Sequence, residues 1–154
     1  MTVFLDTSVL LAGLIDFGPQ SRPAQQVMDL VASRPAIKAA TAWHCCLEFY
    51  SVATRVSPEF RLAPEDALRL LAGEVLERCS VYDLPNAQRR SFFSAAASDA
   101  IIGGRIYDAH IADVARAANA DVVITDNRRH FLAALRHGLR VETPPEFLAA
   151  ARRP

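Results

Sequence analysis

Two short apolar runs constrain this chain most, Val3-Phe4-Leu5 near its start and Val122-Val123-Ile124 far downstream. An apolar, β-branched run of this length reads as a strand buried inside an α/β sheet. Both runs end alike: the first delivers Asp6 and then Thr7-Ser8, the second Thr125 and then Asp126. Ligands of open α/β sheets bind beyond the carboxyl ends of the strands. Two strand-end aspartates, each beside a threonine, therefore predict an acidic site assembled from distant parts of the chain. Such a site suits a divalent cation, because clustered carboxylates repel one another until a cation compensates them.

The intervening pattern alternates strands with helices, the α/β signature. A short helix is expected from about Ser8 to Ile15, stopped by Gly18-Pro19, and a second from Pro23 to about Ala32. Ile37 to Ala40 reads as the second strand, with Thr41 as N-cap of a helix reaching about Thr54. In that helix Trp43, Leu47, Tyr50 and Ala53 or Thr54 follow helical spacing. Pro64-Glu65-Asp66 opens another helix, with acids where the helix dipole favours them. Val81-Tyr82 marks a third strand, and Pro85-Asn86 starts a helix to about Ala97. A helix over Arg105 to Ala118 leads into the strand Val122 to Thr125. A short helix from about His130 to Arg136, a fifth strand over Leu139 to Val141 and a helix from Pro144-Pro145 complete the pattern.

At 154 residues and 51% hydrophobic, the chain is expected to form one domain with a substantial core. The domain is placed at 1–150, with 151–154 as a C-terminal tail. Seventeen basic residues balance 17 acidic ones, so no global field draws the molecule to nucleic acid, and any such binding needs a local patch. Cys45, Cys46 and Cys79 are odd in number and lack zinc-site spacing, so they read as reduced core residues. The uncharged run from Thr7 to Ile15 is too short for a membrane span and lacks a basic leader segment. A cytoplasmic protein without membrane attachment is the expectation.

Four carboxylates stand out by position. Asp6 and Asp126 end strands, Glu48 lies within the helix after the second strand, and Asp108 lies near the start of the helix before Val122. Helix N-termini after parallel strands point to the same sheet edge as the strand ends, so all four can converge. Each also has a plainer explanation. Asp6 could cap a helix, Asp126 could form an Asx turn, Glu48 could pair with His44 or Arg55, and Asp108 could pair with Arg105. Asp99 and Asp113 are held in reserve.

Taken in order, these pieces resemble the PIN-domain ribonucleases, most closely the toxins of VapBC-type toxin–antitoxin pairs. The resemblance rests on Phe4-Leu5-Asp6-Thr7-Ser8-Val9-Leu10, Glu48-Phe49, Tyr107-Asp108-Ala109-His110-Ile111-Ala112, Ile124-Thr125-Asp126-Asn127 and His130-Phe131. It implies a parallel sheet of about five strands with helices on both faces. It also implies an endoribonuclease using Mg²⁺ or Mn²⁺ held by Asp6, Glu48, Asp108 and Asp126, with Thr7 and Thr125 beside the site. An antitoxin partner and a homodimer follow from the same resemblance. Asn127 and Arg128, in the basic segment after Asp126, are the candidate RNA contacts. Two other readings stay open: a phosphohydrolase with Asp6 as nucleophile, and a PIN-like module that binds RNA or protein without cleaving.

Overall fold

Val3, Phe4 and Leu5 are fully buried, as are Val122, Val123 and Ile124, so both apolar runs are strands covered on each face. The computed structural model describes residues 1–131 and 138–151. Its strands are β1 (Thr2–Leu5), β2 (Lys38–Ala42), β3 (Ser80–Tyr82), β4 (Val122–Ile124) and β5 (Arg140–Glu142). Its α-helices are α1 (Thr7–Leu14), α2 (Arg22–Ser33), α3 (Trp43–Ala53), α4 (Pro64–Leu70), α5 (Asn86–Ser98), α6 (Arg105–Ala117) and α7 (Pro144–Ala151).

The strands form one parallel sheet of order β3-β2-β1-β4-β5. From β1 the chain builds outward on one side through β2 and β3, then returns to the other side with β4 and β5. The order therefore reverses between β1 and β4, and the crevice at such a reversal is where doubly wound folds bind ligands. Leu5 pairs with Ile124 there, which places Asp6 and Thr125 side by side just past the last rung.

Two local expectations need correction. Thr41 does not cap α3. Pairing of β2 with β3 runs on through Ala42, so Thr41 lies within the strand, where its buried hydroxyl donates to the Leu5 carbonyl at 2.7 Å. Ala42 takes the cap position without a side-chain bond. The second correction concerns α3 itself: its core face is Cys45, Cys46, Phe49 and Ala53, while Trp43, Leu47 and Tyr50 are exposed. Helical spacing identified a stripe but not the side it faces. The helix expected to open at Pro64 does so, with Glu65 and Asp66 in its first turn, and it passes into a π-helical stretch over Leu71–Leu76. The short helix expected from His130 begins instead as a 3₁₀ turn, Arg128–Phe131, and its remainder falls outside the described residues. The expected tail lies outside them too, apart from Ala151, which closes α7.

The helix that carries Asp108 ends on a left-handed residue, Asn119 (φ 52°), as asparagine allows. Asn119 and Ala120 donate their amides to Arg116 and Ala115, closing the helix before β4. A matching turn ends α5, but there the left-handed residue is Ala100 (φ 52°), with Ile101 N–H bonded to Ala96.

Candidate active site

The backbone amide of Asp6 donates to the Ile124 carbonyl at 3.1 Å, extending the β1–β4 ladder one step past the strand. The Asp6 carboxylate is thereby fixed at the mouth of the crevice, only 5% exposed. Thr125 and Ser8 both donate hydroxyl bonds to its Oδ2, at 2.7 and 2.8 Å, leaving Oδ1 out of both bonds. Asp6 stands at the N-cap of α1 yet makes no side-chain cap bond, so the capping explanation fails. Burial pushes its pKa up; the Thr125 and Ser8 hydroxyls and the Thr7 amide oppose this, and the nearby Glu48 charge adds to it.

Glu48 comes from a different strand end, on α3 after β2. Thr7 Oγ1 donates to Glu48 Oε2 at 2.6 Å, joining the first turn of α1 to α3. Glu48 thus turns to Thr7 rather than pairing with Arg55. Asp108 stands in the first turn of α6, half-buried. Its pKa is raised by burial foremost and also by Glu48, against the pull of His130, Arg105 and His44. His130 Nδ1 lies 3.4 Å from Asp108 Oδ2. Asp6, Glu48 and Asp108 therefore share one field, with Glu48 acting on both aspartates.

Asp126 is joined through its backbone. Its amide donates to Ser8 Oγ at 3.1 Å, while its side chain stands exposed at the rim, with its pKa moved up by partial burial alone. The amide of Asn127 donates to Thr125 Oγ1 at 3.0 Å, so the Thr125 hydroxyl both orients Asp6 and shapes the loop carrying Asp126. Arg128 points elsewhere: its Nη1 lies 2.8 Å from Glu146 Oε1 on α7, an exposed pair.

The donor set is all carboxylate oxygen, which suits Mg²⁺ or Mn²⁺. Among the described residues no three His, Cys, Asp or Glu side chains stand close enough to form a ready cage. Magnesium sites commonly use one or two carboxylates with water completing the shell. Carboxylates placed around one crevice, none of them forming a closed cage, fit that mode.

A family model for the PIN domain matches residues 2–129. The chain belongs to the PIN-domain family. Among curated proteins it is similar to Ribonuclease VapC27 of Mycobacterium tuberculosis, with 36% identity over 92 residues, spanning 59% of this chain and 64% of that protein. The PIN fold also recurs in VapBC-1 of nontypeable Haemophilus influenzae, at a TM-score of 0.64 and 20% identity over 94% of this chain and 99% of that one. Mycobacterium tuberculosis VapC20, a Sarcin-Ricin loop cleaving toxin, superposes with a TM-score of 0.59 at 17% identity, covering 79% of this chain and 86% of that one.

Two residues of this PIN domain escaped the sequence reading as site components. Ser8 bridges Asp6 to the Asp126 amide, and its place two residues after Asp6 was the available signal. His130 appeared in the resemblance and at the start of a short helix but was given no part in the site, although its imidazole faces Asp108. The cysteines are buried thiols, as expected. Burial pushes the Cys45 pKa to about 12 and those of Cys46 and Cys79 to about 11, which leaves all three unreactive near neutrality. No helix among the described residues is long and apolar enough to cross a membrane.

Proposed function

We propose that this chain is a divalent-metal-dependent endoribonuclease, the toxin of a type II toxin–antitoxin pair. The observation that carries the reading is the hydroxyl framework at the β1–β4 crevice, in which Thr125 and Ser8 hold the buried Asp6 carboxylate and Thr7 holds Glu48. In this reading Asp6, Glu48, Asp108 and Asp126 would hold the cation, Mg²⁺ or Mn²⁺, one or two of them directly and the others through its waters. When bound, that ion supplies Lewis-acid polarisation of the phosphate and a water acidic enough to attack it.

The chain's own residues do the rest. Thr125 and Ser8 fix Asp6 Oδ2 so that the carboxylate cannot rotate away from the crevice. Thr7 does the same for Glu48 Oε2. One of the four carboxylates would take the proton of the attacking water. Asn127 and Arg128 contact RNA at the rim, Arg128 by exchanging Glu146 for a phosphate oxygen. Both ion-pair partners are about half exposed, so the exchange costs little. The VapBC likeness supports an antitoxin partner; a homodimer is part of the same reading, and the exposed Trp43, Leu47 and Tyr50 of α3 offer apolar surface for such contacts. Buried, reduced cysteines agree with a cytoplasmic setting.

The test is incubation of purified protein with labelled RNA in Mg²⁺, Mn²⁺ or EDTA. Internal cleavage with either metal and none in EDTA is expected. Cleavage that survives both EDTA and Asp6→Asn, or no cleavage under any condition, would refute the reading.

A further inference from the structure

A ladder of rings stands beside the acidic crevice without any role in it so far. Tyr107 lies with its ring stacked on His44, centroids 5.0 Å apart and planes inclined by 10°. His110 meets His44 edge-on at 5.9 Å, and the buried Phe92 meets His110 in the same way at 5.8 Å. The ladder thus runs from the core to the surface and ends in Tyr107, which is 56% exposed. An exposed tyrosine is ordinarily free to swing, but this one is supported from beneath.

Its position matters as much as its support. Tyr107 directly precedes Asp108 on α6, and His44 lies one helical turn before Glu48 on α3. His44 therefore shares a helix face with Glu48, carries the Tyr107 ring at the edge of the site, and is itself close enough to act on Asp108 electrostatically. Arg105, in the same first turn, also bears on Asp108 and offers a cation for a backbone phosphate. Single-stranded RNA is read largely by splayed bases stacking on exposed aromatic rings, next to cations that track the backbone.

We propose that Tyr107, braced by His44, is a stacking platform for a nucleobase adjoining the scissile phosphate, and so a specificity-determining residue. The proposal rests on the endoribonuclease reading above. A π-face accepts any base, so the platform fixes the register of an unpaired strand and disfavours duplex, whose bases are already stacked.

The experiment compares wild type, Tyr107→Ala and Tyr107→Phe on a short labelled single-stranded RNA with Mn²⁺, and on versions made abasic at one position at a time. Tyr107→Ala should lower kcat/KM roughly 5- to 140-fold, mainly through KM, while Tyr107→Phe stays within about twofold of wild type. One abasic position should cost wild type a similar factor and cost Tyr107→Ala nothing further, the non-additivity expected of a direct contact. Tyr107→Ala gives up the stack on His44 and should melt cooperatively only a few degrees below wild type, which separates this loss from misfolding. Unchanged kcat/KM in Tyr107→Ala, or additive losses at every abasic position, would overturn the platform and leave the nuclease reading intact. Absence of metal-dependent cleavage by wild type would overturn both.

Discussion

Replacing Asp6 with asparagine separates charge from geometry at the centre of the site. Both hydroxyl bonds converge on Oδ2, so an amide oxygen in that place keeps the Ser8 and Thr125 partners. The amide nitrogen then occupies the Oδ1 position and presents hydrogens where a cation needs a lone pair. In wild type, burial raises the Asp6 pKa above its ordinary 3.8, so the folded state binds this proton more tightly than the unfolded chain does. Stability therefore falls as pH rises from that ordinary value through the folded-state pKa, and the deficit persists at neutral pH. Asp6→Asn has no such deficit. Without metal it should melt at or above wild type at pH 7, the gap closing as pH is lowered through the folded-state pKa of Asp6. With metal the order should reverse. A cation that binds only the folded state adds about 2.7 kcal/mol at a hundredfold excess over its Kd. For a domain of this size that is a rise of about 5–11 °C in Tm. Wild type should show that rise with Mn²⁺, and Asp6→Asn should show little of it and cleave no RNA. Thermal melts with EDTA and with Mn²⁺, across a pH series, measure all of this. An equal metal-induced shift in both proteins, or a metal-free mutant less stable than wild type at every pH, would refute the reasoning.

Thr125→Val removes a donor to buried Asp6 and an acceptor for the Asn127 amide; it should cost about 1–3 kcal/mol in denaturant unfolding and raise the Asp6 pKa further. A change within a few tenths of a kcal/mol would mean the hydroxyl is dispensable. Ala100→Gly relieves a left-handed backbone that costs an alanine about 1–2 kcal/mol, partly offset by the entropy of a freer unfolded chain; a net gain of about 0.5–1 kcal/mol is expected in the same assay. Arg128→Ala should change stability by less than about 1 kcal/mol, because its ion pair is exposed. It should also flatten the salt dependence of RNA affinity by about 0.7 in slope for a lost single-strand phosphate contact, and superimposable lines would confine Arg128 to Glu146.

The strands were legible because β1 and β4 are buried on both faces and so are written as unbroken apolar runs. Asp6 and Thr125 followed directly, since the end of a parallel strand fixes where the next residue goes. The hydroxyl bridges did not, because whether Ser8 faces Asp6 or solvent depends on the turn into α1. Orientation of α3 was hidden for a related reason. Its sequence offers apolar residues on more than one face, and only the sheet decides that Phe49 goes in while Trp43 and Leu47 stay out. Arg128 shows the remaining limit: two residues from Asp126 in sequence, its guanidinium reaches α7, a partner 18 residues away that no local pattern announces.

The bonds from Thr125 and Asp126 back to Asp6 and Ser8 join residues 118 and 119 positions apart. During synthesis, then, the first half of the crevice leaves the ribosome long before the second. At about 5–20 residues per second the interval is roughly 6–24 s, and in that time β1 has no β4 to pair with. No shorter nascent chain can gather these groups. Whatever the crevice does begins only once β4 and Asp126 have been made, so a protein of this design is silent while everything from β1 to β4 is being synthesised.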